Sequence, residues 1–146
     1  RLYCNGIDVT EAIRTPEISA NVSAVSMIPI VRESMTAQQR RIAQGADVLM
    51  DGRDIGTVVL PNATVKIFLT ASAEERARRR YDELIAKGMN VTFKEVYDDM
   101  VQRDYADSHR EIAPLKQADD AVLADTTGLE PEQSLELILN IVKERI

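Results

Sequence analysis

A chain of 146 residues that is 45% hydrophobic is one domain's worth of sequence, with enough apolar material for a core. Its 24 acids against 18 bases give a net charge of −6, which argues against general nucleic-acid binding, because that rests on neutralising phosphates. A single cysteine, Cys4, cannot close an intrachain disulfide and suits a reducing compartment, and no apolar run approaches the ~20 residues of a membrane span.

The opening stretch RLYCNGIDVT lacks Met and begins inside a strand-like pattern, so it reads as neither a signal peptide nor a natural start. RLYC and IDVT flank Asn5-Gly6, a pair suited to a two-residue hairpin turn with positive φ at both positions. Thr15 and Pro16 predict a helix start, with Thr15 as N-cap and Pro16 at the first helical position. Ile18, Val22 and Val25 then recur at helical spacing, and Pro29 opens a second helix that runs to Gly45. Val48–Met50 reads as a short buried strand, and Val65–Thr70 as another.

Ser72 and Glu75 form an S-x-x-E capping box before a helix that stops at Lys87-Gly88. Thr92 and Glu95 repeat that box before a helix with Phe93, Val96, Tyr97 and Met100 on its apolar face. Ala121–Asp125 reads as a third strand, and Pro131 starts a last helix with Leu135, Ile138, Leu139 and Val142 facing inward. Alternation of strand and helix after residue 45 predicts an α/β fold with a parallel sheet. The preceding hairpin and two helices form a small subregion.

Charge is concentrated at four places. Asp51, Gly52, Arg53 and Asp54 follow the strand predicted at 48–50, and open parallel sheets bind ligands beyond the carboxyl ends of their strands. Arg53 offers a planar fork for two phosphate oxygens, while Asp51 and Asp54 can hold that arginine, a ribose hydroxyl or water on Mg²⁺. A strand-end salt bridge with a turn glycine explains the same residues equally well. Arg103, Asp107 and Arg110 share one helix face by their spacing, as a phosphate clamp or as an exposed ion pair worth about 0.3–0.5 kcal/mol.

In EERARRR, Glu74–Arg78 and Glu75–Arg79 are i,i+4 pairs in the favourable order, whereas Arg76, Arg79 and Arg80 share another face. Ser23 and Arg32 flank the helix start at Pro29. His109 is the only histidine, and with no cluster of ligand types around it a solvated helix position outweighs a zinc site.

Together, DGRDIGTVVLPNATVKIFLTASAEERARRR and RDYADSHREIAPL closely resemble the bacterial cytidylate kinases, and IRTPEISANVSAVSMIPIVRE resembles that family's monophosphate-binding region. The resemblance covers nearly the whole chain. It implies a P-loop kinase fold: a parallel sheet flanked by helices, a small monophosphate-binding insert at 1–45, the C-terminal part of the kinase core at 46–146, and a helical lid at about 76–113. It implies transfer of the γ-phosphoryl of ATP to CMP or dCMP with Mg²⁺, in a cytoplasmic enzyme that is monomeric when complete and has neither nucleic-acid nor membrane partners.

By the same resemblance Ser23 contacts cytosine, Arg32, Arg53 and Asp54 hold the monophosphate, and Asp51 faces Mg²⁺-bound water. Arg103, Asp107 and Arg110 contact sugar and phosphates, with Arg53, Arg103 and Arg110 acting on the transferring group. Arg76, Arg79 and Arg80 are implied to lie on the ATP side of the lid. The phosphate loop of such kinases, G-x-x-x-x-G-K-[ST], does not occur in this sequence. The resemblance places it before Arg1, together with a strand that runs between 48–50 and 65–69, and the chain is therefore expected to be the C-terminal two-thirds of a kinase.

Overall fold

The computed structural model describes residues 1–146, with the side chains of Pro16, Ser19, Ala20 and Ser23 outside the described set. The chain forms two compact units, Arg1–Asp47 and Val48–Ile146.

The first unit opens with the expected hairpin. Strands β1 (Tyr3–Cys4) and β2 (Ile7–Asp8) pair antiparallel. The turn between them takes φ 49° at Asn5 and 80° at Gly6, the left-handed pair that an Asn-Gly turn supplies. A 3₁₀ turn at Ala12–Arg14 leads to α1 (Pro16–Ser26), whose N-cap Thr15 accepts from the Ile18 amide. Helix α2 (Pro29–Ala43) follows, again with proline at its start. No described residue of this unit is buried.

The second unit is mixed α/β. Strands β3 (Ile67–Thr70) and β4 (Val122–Asp125) pair in parallel, with Ile67 opposite Val122 and Thr70 opposite Asp125. Helices α3 (Ala73–Ala86) and α4 (Phe93–His109) lie between them in sequence, and α5 (Pro131–Lys143) follows β4. The buried apolar residues are Val59, Ala71, Ala77, Val96, Ala124 and Ile141, drawn from β4, the three helices, the turn before β3 and the residue just after it.

Three expectations are corrected. Val48–Met50 is not a strand: it joins no ladder among the described residues, and Leu49 is 99% exposed. A short apolar run becomes a strand only when a neighbour takes up its amides and carbonyls. The inward face of α5 centres on Ile141 and runs through Leu137 and Ile138, leaving Leu135 and Leu139 exposed. LELILNIV carries two overlapping helical stripes, and packing against the core selects one of them.

The box at Ser72 is only half formed. Ser72 accepts from the Glu75 amide, but the Glu75 carboxylate accepts instead from the Gly128 amide and pairs with Arg79. The box at Thr92 and Glu95 is complete, and Glu130 with Gln133 builds another before α5. Gly88 closes α3 with φ 75°.

Candidate functional site

The segment after Asp51 does not continue as a simple loop. Residues Ile55–Val59 wind into a wide π-helical turn, in which the Asp54 carbonyl accepts from the amides of Val58 and Val59. Gly52 precedes this turn because a Cβ there would lie 2.9 Å from Ile55 Cγ1. Val59 is anchored in the core, so the turn holds Arg53 and Asp54 from below. Lys66 braces the same turn: its stem packs on Gly56, and its amine donates to the Pro61 carbonyl and to both Asp120 oxygens. That bond holds the Asp120 carboxyl below its ordinary 3.8.

Helix α4 delivers the other half of the site. Asp107 is buried, with its side chain 8% exposed, and three arginines surround its carboxylate. Arg53 Nε donates to Oδ2 at 2.9 Å, across 54 residues of sequence. Arg103 Nε lies 4.0 Å from the same oxygen, and Arg110 Nη1 lies 3.8 Å from Oδ1. Arg110, only 6% exposed, also brings Nη2 to 4.0 Å from Asp54 Oδ1. Two acids thus hold three arginines together, an arrangement that like-charge repulsion would otherwise oppose. One positive charge is left in excess, and Arg53 and Arg103 keep nearly half of their side-chain surface open to solvent. The chemistry of such a seat is that of a small anion with a hydroxyl beside it.

Arg110 is not on the helix that its spacing suggested. It caps α4 in extended conformation, and the chain then doubles back. Ala113 takes the left-handed φ of 51°, a conformation that costs about 1–3 kcal/mol in a residue other than glycine. Its carbonyl accepts from Arg110 Nε at 2.5 Å, and the Leu115 amide donates to the Asp107 carbonyl at 2.7 Å. The returning loop therefore fixes the direction of the Arg110 fork. Pro114 marks a break in EIAPL, but with neither glycine nor asparagine there, nothing announces the left-handed position at Ala113.

The remaining candidates lie elsewhere. Asp51 is exposed. The Ser23 side chain is outside the described residues, and Arg32, in the first unit, donates from Nε to the Ser26 carbonyl at 3.1 Å. Arg76 forms a two-pronged bond with Asp104. Arg79 reaches Glu75 and the carbonyls of Thr126 and Leu129, and Arg80 pairs with Glu83 at 3.1 Å. Arg78 lies over the Phe93 ring, 4.2 Å from its centroid, and forms no ion pair with Glu74 among the described residues. His109 is exposed and stacks on Tyr105. No group of three or more acidic, histidine or cysteine side chains among the described residues could cage a metal ion.

The family model described as "Cytidylate kinase" matches residues 1–144. The chain belongs to the cytidylate kinase family. It is 54% identical over 142 residues to the cytidylate kinase of Carboxydothermus hydrogenoformans, covering 97% of this chain and 64% of that protein. It is 52% identical over 145 residues to that of Ligilactobacillus salivarius, covering 99% and 65% respectively. For Desulfitobacterium hafniense the identity is 51% over 146 residues, covering 100% of this chain and 63% of the relative. The chain thus spans about 64% of the length of the curated cytidylate kinases it matches. Like the rest of the family match, the charge cluster of α4 lies within the shared residues. No helix among the described residues is long and apolar enough to cross a membrane.

Proposed function

We propose that the chain is the greater part of an enzyme that transfers the γ-phosphoryl of ATP to CMP or dCMP, giving CDP or dCDP. The observation that carries this reading is the convergence of Arg53, Arg103 and Arg110 on the buried Asp107 carboxylate. Phosphoryl transfer asks little covalent chemistry of a protein. It asks for positioned cations around the transferring group and for exclusion of water.

In this reading Arg53, Arg103 and Arg110 steady the charge of the transferring group. Arg32, Arg53 and Asp54 hold the monophosphate, Asp107 takes a sugar hydroxyl, and Ser23 contacts cytosine. Arg79 and Arg80 stand on the ATP side of the lid. Mg²⁺ keeps most of its waters and needs only one or two carboxylates, so a single exposed acid, Asp51, fits it through water. When bound, Mg²⁺ neutralises charge on the β- and γ-phosphates. The ATP cradle itself requires backbone amides and a lysine behind a glycine-rich loop, which we place in the part of the enzyme beyond these 146 residues. The complete enzyme is proposed to work in the cytoplasm as a monomer on small nucleotides, without nucleic-acid or membrane partners.

A second reading is a nucleotide-binding protein that transfers nothing, which a complete protein without G-x-x-x-x-G-K-[ST] would favour. A coupled ADP-release assay on the complete protein separates the two. CMP and dCMP are expected to give turnover well above AMP or GMP. Binding of CMP without ADP release would establish the second reading, and preference for a purine monophosphate would overturn the substrate.

A further inference from the structure

The α3–α4 hairpin is held at its two ends by different chemistry. Away from the charge cluster, Phe93 of α4 meets Tyr81 of α3 with ring centroids 6.2 Å apart, while Tyr97, one turn along α4, flanks Phe93 at 6.1 Å. The Tyr81–Phe93 contact keeps the helices together but tolerates a small roll of one on the other. At the opposite end Arg76 grips Asp104 with both prongs, Nη1 to Oδ1 at 3.1 Å and Nη2 to Oδ2 at 2.6 Å. Its Nε donates to the carbonyl of Ala71, the residue that follows β3, at 2.9 Å. One guanidinium therefore ties the end of the strand to α4.

Asp104 adjoins Arg103 and lies one helical turn before Asp107, so this tie acts beside the charge cluster. Side-chain atoms stand about 5 Å from a helix axis, and a roll of about 20° moves them by about 2 Å. That displacement would break the 2.9 Å bond between Arg53 and Asp107. A planar, two-pronged bond resists such a roll, because both of its contacts must fail together.

We propose that Arg76 and Asp104 are positioning residues that set the roll of α4 and so bring Asp107 to Arg53. All three nitrogens of Arg76 donate within the chain, which gives this arginine a different task from the ATP contact that the family resemblance implies. The activity readout rests on the proposed phosphoryl transfer.

The test uses the complete enzyme with Asp104→Asn, Arg76→Lys and the double variant, assayed well below the lowest melting temperature. Each single change is expected to lower kcat/KM for CMP about tenfold, leaving KM for ATP unchanged, with the double variant no worse than either single. Effects that multiply in the double variant overturn the proposal. So does a raised KM for ATP in Arg76→Lys alone, which would put Arg76 on the nucleotide. A lowered melting temperature with unchanged kinetics overturns it too, leaving an ordinary structural pair.

Hydrogen exchange without nucleotide gives a second readout. The Leu115 amide, bonded to the Asp107 carbonyl, is expected to exchange about tenfold faster in Asp104→Asn. The Val122 amide, bonded to the Lys66 carbonyl, should keep its rate. If the wild type phosphorylates no monophosphate, the proposed function fails, and the exchange rates still decide the positioning role: an unchanged Leu115 rate overturns it.

Discussion

The two units of this chain use the same devices to opposite effect. Residues 1–47 contain a well-formed hairpin turn, a threonine cap and two proline-started helices, yet no described residue there is buried. Residues 48–146 bury Val59, Ala77, Val96, Ala124 and Ile141 and carry the charge cluster on the framework that these residues hold. Capping and turn chemistry are local and shape an element without a core. An 11-residue and a 15-residue helix are nonetheless marginal in water unless an apolar face is covered. A precise charge cluster needs the second condition as well, because distances near 4 Å persist only where the backbone beneath them is fixed.

The comparison breaks most completely if the 146 residues turn over CMP by themselves. Five lysines occur here, Lys66, Lys87, Lys94, Lys116 and Lys143, and none follows a glycine-rich loop at the start of a helix. Lys66 is committed to Asp120, with its side chain only 7% exposed, and Lys94 to Asp98. A purified 1–146 segment is therefore expected to show no CMP-dependent ADP release. Activity within about tenfold of the complete enzyme, a barrier difference of only about 1.4 kcal/mol, would refute the need for a separate phosphate loop.

Arg110 tests the cluster in the second unit. Arg110→Ala in the complete enzyme should lower kcat on the order of 10²-fold or more, by analogy with arginine fingers. Because Arg110 is buried beside Asp54 and Asp107, that change costs stability as well. Arg110→Lys keeps the charge and removes the fork, so it is the cleaner probe. Near-normal kcat in a folded Lys variant that also binds CMP normally would show that the fork has no part in transfer.

Stability sharpens the contrast between the units. Val59→Ala opens space in the core and is expected to cost about 1–3 kcal/mol in denaturant unfolding. Ile30→Ala, at a site 69% exposed in the first unit, should stay within about 0.5 kcal/mol. Equal costs at the two sites would mean that the first unit has a buried face of its own.

The smallest effect is in acid. Asp120 is held below its ordinary pKa mainly by the Lys66 hydrogen bond, Glu95 by the Thr92 amide, and Asp125 by the Thr127 hydroxyl. All three lie in the second unit, while Asp8, lowered by the Thr10 amide, is in the first. A carboxylate with a depressed pKa stabilises the fold above its unfolded value and loses that contribution as pH falls through the folded one. Unfolding midpoints should therefore fall below about pH 5 and continue to fall toward pH 3. Asp120→Asn should flatten that acid limb; an unchanged slope would show that the Lys66 bond contributes nothing to it.

Much of the architecture was legible in residue order because its causes are local. Asn5-Gly6, Thr15-Pro16, Thr92 with Glu95, and Lys87-Gly88 each act over four residues or fewer, and each element formed where these signals placed it. The grouping of Arg103 with Asp107 was readable for the same reason, since helical spacing makes them neighbours. A strand is different. Val48–Met50 has strand composition, but its backbone bonds must come from another part of a chain, and composition cannot supply them.

The site was decided at longer range. Arg53 and Asp107 are 54 residues apart, as are Lys66 and Asp120, and no periodicity links such positions. The direction of the Arg110 fork depends on a left-handed Ala113 whose conformation is imposed by bonds to α4 rather than preferred by alanine. Arg76 shows the boundary most plainly. On α3 it belongs to a run of arginines with interchangeable chemistry, and only packing against α4 gives it Asp104 on one side and the Ala71 carbonyl on the other. Local sequence set which residues could bear charge on which helix face. Which charges meet was left to the tertiary fold, because a salt bridge is selected by the few ångströms separating two side chains and not by the number of residues between them.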